Sequence, residues 1–341
     1  PERARKIFEF IVENQKQTGC HFDIAADLFD DDLIKYLQKI PEGWFRFEIG
    51  VQSTNSKTIN TIDRKMDWDQ LAHNVKKLRE KDNINLHLDL IAGLPQEDYN
   101  SFKKSFNDVY QLAPHEIQLG FLKLLKGSKI RNEADDFNYK YTEIPPYEVL
   151  ENNSLSYREI LKFKGVEFIV KKYYNSGVFT KSLYYILNNI YHSPYQLFED
   201  MYQYFEENHL HRKSHSRKTL YDIFYNFYEN RIKQSLGIFS EYLKFDLLLN
   251  NYGVKLPGWA KKPTIENFKD KRYQFLKNSA NIDKYLPHYK NRSVRKILNQ
   301  ITFSEFKIDV LNEETKINHD KKIVILFDYE KNEAYDVTGE I

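Results

Sequence analysis

Two segments decide the fold: Trp44-Phe45-Arg46-Phe47-Glu48-Ile49-Gly50-Val51-Gln52-Ser53 and Leu86-His87-Leu88-Asp89-Leu90-Ile91-Ala92-Gly93-Leu94-Pro95. Successive side chains of a strand point to opposite faces. Phe47, Ile49 and Val51 therefore share one face of the first segment, and Glu48, Gly50 and Gln52 share the other. In the second, His87, Asp89 and Ile91 fall together, opposite Leu86, Leu88 and Leu90. An antiparallel sheet with one wet side would show the same alternation. A helix-like stretch over 67–81 lies between the two segments, however, and strand–helix–strand order favours a parallel sheet of βα units. In a parallel barrel the polar face at the carboxyl ends of the strands looks into the mouth, where ligands bind.

The pattern extends both ways from this pair. Ala4, Ile7, Phe8, Ile11 and Val12 have the spacing of an amphipathic helix over 2–17, which Gly19 ends. A short strand follows at 21–25. Asp30-Asp31-Asp32 then opens a helix to about Lys39, since acidic side chains suit the positive end of a helix dipole. Strand 44–51, helix 67–81, strand 85–91, helix 98–111 and strand 116–122 continue the alternation, with Asp98 or Gln96 as a candidate cap. Residues from Lys126 to Pro146 read as a linker. Beyond Tyr147 the spacing becomes helical and dense in Tyr and Phe, with helices expected at 147–164, 180–190, 194–208, 217–235, 238–249 and 264–278. Strands are expected at 303–310 and 322–329, with Asn318-His319-Asp320 as the turn between them.

Glu48-Ile49-Gly50-Val51-Gln52-Ser53, then Arg64, then Asp89-Leu90-Ile91-Ala92-Gly93-Leu94-Pro95 resembles the central signature of the radical S-adenosylmethionine (SAM) enzymes. The nearest groups are the oxygen-independent coproporphyrinogen oxidases and the cobalamin-linked, cyclase-like proteins. The 12-residue step from Gln52 to Arg64 and the 25-residue step from Arg64 to Asp89 are similar to those of the coproporphyrinogen group. The resemblance covers residues 1–128. It implies an α/β fold: a partial parallel (βα) barrel of TIM-like type, incomplete at its N-terminus because its first two strands are missing. Residues 129–341 would form a mainly helical domain with a small β tail, similar in placement to a domain that follows some cobalamin-linked barrels. The strand near Asp23 would then be an open sheet edge, a template for a homodimer.

The resemblance also implies roles. Gln52 and Asp89 would bind the ribose of SAM, and Arg64 its methionine carboxylate through a fork of donors. Asp23 stands where the family has Glu on its third strand. Ser53 would assist, Glu48 would reach the ribose or the substrate, and Gly93 and Pro95 would shape the loop under the adenine. The intact protein would form a 5′-deoxyadenosyl radical for a redox or methyl-transfer reaction on a small-molecule substrate. The family's [4Fe–4S] cluster needs three cysteine thiolates, and Cys20 is the only cysteine. The cluster, and cobalamin if the subgroup applies, are therefore expected only in an intact protein with a C-x3-C-x2-C motif upstream of Pro1. The chain as given would be inactive, and no catalytic residue is assigned. A family member that never had the cysteines is the alternative.

Composition narrows the classes. The 341 residues suffice for two domains. A net charge of +2 gives no global field for nucleic acid. The 25 Tyr and 24 Phe fit large cores built from rings. No run approaches 18 apolar residues and no signal peptide is visible, which points to a cytoplasmic protein without a membrane partner. The lone cysteine agrees with a reducing compartment.

Each site residue also has an ordinary structural reading. Gln52 could be a turn group, Asp89 and Arg64 could simply pair, and His87 reads as a packed barrel histidine. His211 and His215 stand four apart but are crowded by Arg212, Lys213, Arg217 and Lys218, so no metal site is assigned. A second reading of the whole chain is an α/β half-barrel plus helical module that binds a partner without chemistry.

Overall fold

The alternating segments form a parallel sheet. The computed structural model describes residues 2–14, 18–312 and 322–341. Its first elements are α1 (Glu2–Asn14), β1 (Cys20–Ile24), α2 (Asp31–Leu37), β2 (Phe45–Gln52), α3 (Ser56–Thr61), α4 (Trp68–Arg79), β3 (Asn85–Ala92), α5 (Tyr99–Tyr110) and β4 (Glu116–Phe121). The four strands pair in chain order, β1-β2-β3-β4, all parallel. Short carboxylate caps start the helices. Asp30 accepts from the Leu33 N–H, Asp67 from that of Gln70 and Asp98 from that of Ser101. The cap of α5 is thus Asp98, not Gln96.

Phe45, Phe47, Ile49 and Val51 of β2 are all buried, while the residues between them are half-buried. Phe8 of α1 packs edge-on to Phe22 and Phe29 and lies 5.5 Å from Phe45. Asn74 of α4, fully buried, donates to the carbonyls of Ala26 and Phe29 at 2.8 and 2.9 Å. These contacts seal one face of the sheet and leave the polar face open. The β4 edge is closed by a side chain. Asn175 accepts from the Ile117 N–H and donates to the Ile117 carbonyl, both at 3.0 Å, as a neighbouring strand would.

After β4 come α6 (Lys129–Asn132), the paired strands β5 (Lys140–Tyr141) and β6 (Val149–Glu151), and α7 (Tyr157–Tyr173). The helix expected at 147–164 starts only at Tyr157. Ser156 and Glu159 form a reciprocal capping box there, and the preceding residues pair in β6 instead. Then follow α8 (Thr180–Asn189), α9 (Pro194–Glu207), α10 (Arg217–Phe227), α11 (Leu236–Asn250), α12 (Phe268–Lys277), α13 (Ser279–Tyr285) and α14 (Val294–Leu298). An antiparallel sheet of β7 (Ile301–Phe306), β8 (Ile323–Asp328) and β9 (Glu333–Asp336) ends the chain. The single helix expected over 217–235 stops at Phe227. A wide turn over Tyr228–Ile232 follows, and Lys233 and Ser235 take positive φ of 64° and 52°. The turn expected at Asn318-His319-Asp320 lies outside the described residues.

Contacts divide the chain into two units. One comprises residues up to Gly177 with His192–Gln203; the other comprises Val178–Tyr191 with Tyr204–Ile341. The boundary expected at 128 falls inside the first. Two groups of packed side chains stand out among the described residues of the second unit. Phe179, Tyr221, Phe224, Phe239 and Tyr228 pack ring on ring between helices. Phe275, Leu286, Tyr289, Phe303 and Leu326 join α12–α14 to the β7–β9 sheet.

Candidate functional site

The end of β2 breaks regular strand geometry. Pairing with β3 shifts between Gly50 and Gln52, so that Gly50 sits opposite Asp89 and Gln52 opposite Leu90. Gln52 has φ 71°, sparsely populated for a side-chain-bearing residue. A Cβ on Gly50 would lie 2.5 Å from Gln52 Nε2 and 3.3 Å from Arg64 Nη2. Glycine is therefore what lets these two side chains cross the strand. Arg64 Nη2 donates to the Gly50 carbonyl, while its Nε is buried without a partner.

Gln52, Arg64, Ile91, Leu94, Pro95 and Leu122 line a cavity of about 420 Å³ at the carboxyl ends of β2 and β3. Its remaining walls are Thr61, Ile62, Ser128, Lys129, Ile130, Glu133 and Phe137, so polar side chains share the lining with apolar ones, and Lys129 is paired with Asp63 and Glu133. Gly93 forms the turn that leads into Leu94 and Pro95 of this lining. Its φ is 93°, and its carbonyl accepts from Tyr139 Oη at 2.9 Å and Asn152 Nδ2 at 3.1 Å. That left-handed turn suits glycine.

A second group of carboxyls lies on the same polar face. Asp23 sits opposite Glu48 in the register, and Gly50 opposite Asp89. His21 Nε2 is 3.1 Å from Glu48 Oε2. Burial first, then a hydrogen bond with Glu48 and the charges of Glu48 and Asp23, push the Asp89 carboxyl up to about 7. Asp89 Oδ1 is buried without a partner. His21, Asp23 and Glu48 bring one nitrogen and two carboxylate oxygens within 4.8 Å of one another, with His21 and Asp23 exposed.

The eight anticipated residues thus divide. Gln52, Arg64 and Pro95 line one cavity, and Gly93 immediately precedes its lining residue Leu94. Asp23, Glu48 and Asp89 form the carboxyl row. Arg64 and Asp89 form no ion pair among the described residues, so they do not simply cancel one another. Ser53 is elsewhere: it is fully buried, and its Oγ donates to Glu97 Oε1 at 2.5 Å. Glu97, fully buried, also accepts from Ser105 Oγ at 3.0 Å, and burial pushes its carboxyl up to about 7. Ser53 anchors the loop beside Gln52. Sequence reasoning placed Ile91 on the face of Asp89 but missed His21, for which two-residue spacing from Asp23 was the signal, and missed Ile62, Leu122, Ile130 and Phe137 in the wall. Glu97 carried no such signal, because its partners lie 44 and 8 residues away.

His87 is 4% exposed, contacts Arg46 and Glu116, and is held neutral near 4 by burial and by Arg46. The ring nitrogens of His211 and His215 face the main-chain carbonyls of Phe205 and Leu210. Among the described residues, no helix is long and apolar enough to cross a membrane.

Fold and site together define an α/β protein with a ligand-sized cavity at the carboxyl ends of parallel strands. Residues 135–327, more than half of the chain, match the family described as "Protein of unknown function (DUF4080)", and the chain belongs to that family. It is 30% identical over 128 residues to the uncharacterized protein YtqA of Bacillus subtilis, covering 37% of this chain and 39% of that protein. It is 26% identical over 172 residues to a probable threonylcarbamoyladenosine tRNA methylthiotransferase of Pyrococcus abyssi, covering 42% and 39%. Coproporphyrinogen III oxidase (HemN) of Escherichia coli, described as a radical SAM enzyme, overlays 50% of this chain and 36% of its own at 19% identity, with a TM-score of 0.36. The chain spans about two fifths of the length of the curated relatives it matches.

Proposed function

We propose that the first unit is the SAM-binding part of a radical SAM barrel. One observation carries this reading: Gln52 and Arg64, twelve residues apart in sequence, line one cavity at the strand ends with Ile91, Leu94 and Pro95, and the Arg64 Nε there is buried without a partner. Arg64 would pair the methionine carboxylate. Gln52 would bond the ribose, with Asp89 and Glu48 as further acceptors for ribose or substrate. Ile91, Leu94 and Pro95 would pack the adenine. The groups present fit SAM: the Arg64 guanidinium, the Gln52 amide and the apolar side chains of Ile91, Leu94 and Pro95 in the cavity lining, with the buried Asp89 carboxyl oxygen on β3 beside them in sequence.

The same test fails for the iron–sulfur cluster. Cys20 is the only thiol, half-buried on β1, and three thiolates are required. In an intact protein, SAM together with a cluster supplies one-electron chemistry for redox or methyl-transfer reactions. This chain's own residues bind and orient, and the electron would come from ligands outside them. Cobalamin belongs to the proposal only through the subgroup likeness. The β1 edge near Asp23 is where a further strand, or a second copy, would pair.

The test is calorimetry of the full chain with S-adenosylmethionine and S-adenosylhomocysteine. Losing a charge-assisted pair contributes about 1.5–3 kcal/mol, so Arg64→Ala should weaken binding at least tenfold. Gln52→Ala should weaken it less. No heat at millimolar ligand, or equal affinity in the variants, removes the assignment.

A further inference from the structure

The second unit contains a cavity that the proposed SAM site does not use. It measures about 430 Å³ and is bounded by Tyr225, Gly237, Glu241, Trp259, Lys261 and Lys307. One wall is a fixed aromatic shelf. The Trp259 indole stacks on Tyr225 with ring centroids 5.4 Å apart and planes 11° apart. Its Nε1 donates to Asp222 at 2.8 Å, which locks the ring's orientation. Opposing it in character are two exposed lysines, Lys261 and Lys307, and neither ammonium is ion-paired among the described residues.

The floor holds these lysines in place. Glu241 and Lys244 form a buried ion pair at 2.8 Å, with side chains 4% and 2% exposed. Glu241 Oε2 accepts the backbone N–H of Lys307 at 3.2 Å. Lys244 Nζ donates to the carbonyls of Glu305 at 2.9 Å and Lys261 at 3.5 Å. One buried pair thus tethers the main chain at both cavity lysines. Burying two charges is unfavourable beside packing apolar groups there. What the pair achieves is a fixed backbone under two lysines that have no ion-pair partner among the described residues. The Glu241 charge is offset by Lys244, so among the described residues the charge left to the cavity lining is that of Lys261 and Lys307. The start of α11 adds to this polarity, since no side chain caps it.

We infer that this cavity binds a small phosphate ester carrying a flat ring, of nucleotide size. The lysines would take the phosphate and the Trp259–Tyr225 shelf would take the ring. Cation pairing and ring stacking are separate contributions here, so each can be removed alone. The proposal is independent of the SAM site, which lies in the other unit.

The test uses the full chain with adenosine 5′-monophosphate, adenosine and inorganic phosphate as probes, followed by calorimetry. The monophosphate should bind more tightly than either fragment. Lys261→Ala and Lys307→Ala should each weaken it about tenfold, and Trp259→Leu should reduce it to the affinity of inorganic phosphate. Arg64→Ala should leave it unchanged. Both lysines are exposed, so their variants should fold, and circular dichroism checks this. Absence of monophosphate binding at millimolar concentration overturns the inference. Equal binding by the lysine variants does so too, as does adenosine binding as tightly as the monophosphate.

Discussion

Glu97 makes stability depend on pH, through the loop that carries Gln52. Its carboxyl is fully buried, accepts from Ser53 and Ser105 through Oε1, and leaves Oε2 without a partner. Burial raises it from 4.5 to about 7. A carboxyl raised by folding contributes fully below its unfolded value, and that contribution fades as pH rises through the folded value. The window is therefore pH 4.5 to about 7. A shift of about 2.5 units, at 1.36 kcal/mol per unit, corresponds to roughly 3 kcal/mol lost on the alkaline side. Glu97→Gln keeps an acceptor for both serine hydroxyls and removes the ionisation. Urea unfolding of the natural protein and the variant at pH 5 and pH 8 measures the difference. The variant should gain on the order of 3 kcal/mol relative to the natural protein between those two pH values. Asp246, also raised to about 7 by burial, is common to both proteins and cancels. A gap between the two proteins that does not change with pH would refute the assignment of a proton to the buried Glu97 carboxyl.

Further perturbations test other parts of the argument. Gly50→Ala should push Gln52 and Arg64 aside. SAM binding should fall about tenfold while stability, read by thermal melting, changes by about 1 kcal/mol or less, since only flexible side-chain ends must move. Asn175→Ala removes two hydrogen bonds from the β4 edge and should lose about 2 kcal/mol at about 1 kcal/mol each. Light scattering should also reveal self-association through the opened edge. Lys244→Ala leaves Glu241 buried and uncompensated and should lose about 3–5 kcal/mol in urea unfolding. The Lys244→Met, Glu241→Leu double variant should recover most of that loss.

Periodicity made the first unit legible. Two-residue alternation in 44–51 and 85–91, with a 3.6-residue pattern between them, is local information, and strand and helix follow from it directly. The same local reading narrows the cap of α5 to Asp98 or Gln96, and the Ser101 N–H selects Asp98. The residues at 147–164 show where such reading fails. Tyr and Phe at helical spacing suggested one helix, yet Val149–Glu151 found a partner strand and the Ser156–Glu159 box set a later start. Likewise β9 is exposed or half-buried along its length, so it carried no hydrophobic signal, and it exists only because β8 offers it an edge.

By itself the sequence determined the alternation of β1 to β4 with the helices between them, the polar and apolar faces of β2 and β3, and the residue types available for a ligand, because these depend on neighbours a few positions apart. Only tertiary structure decided which of those residues meet. Strand register set Gly50 against Asp89, a break in β2 brought Gln52 beside Arg64, and burial turned Ser53 inward to Glu97. The physical reason is that proximity across a sheet, and the loss of water that comes with it, are properties of the packed chain and leave no trace in local spacing.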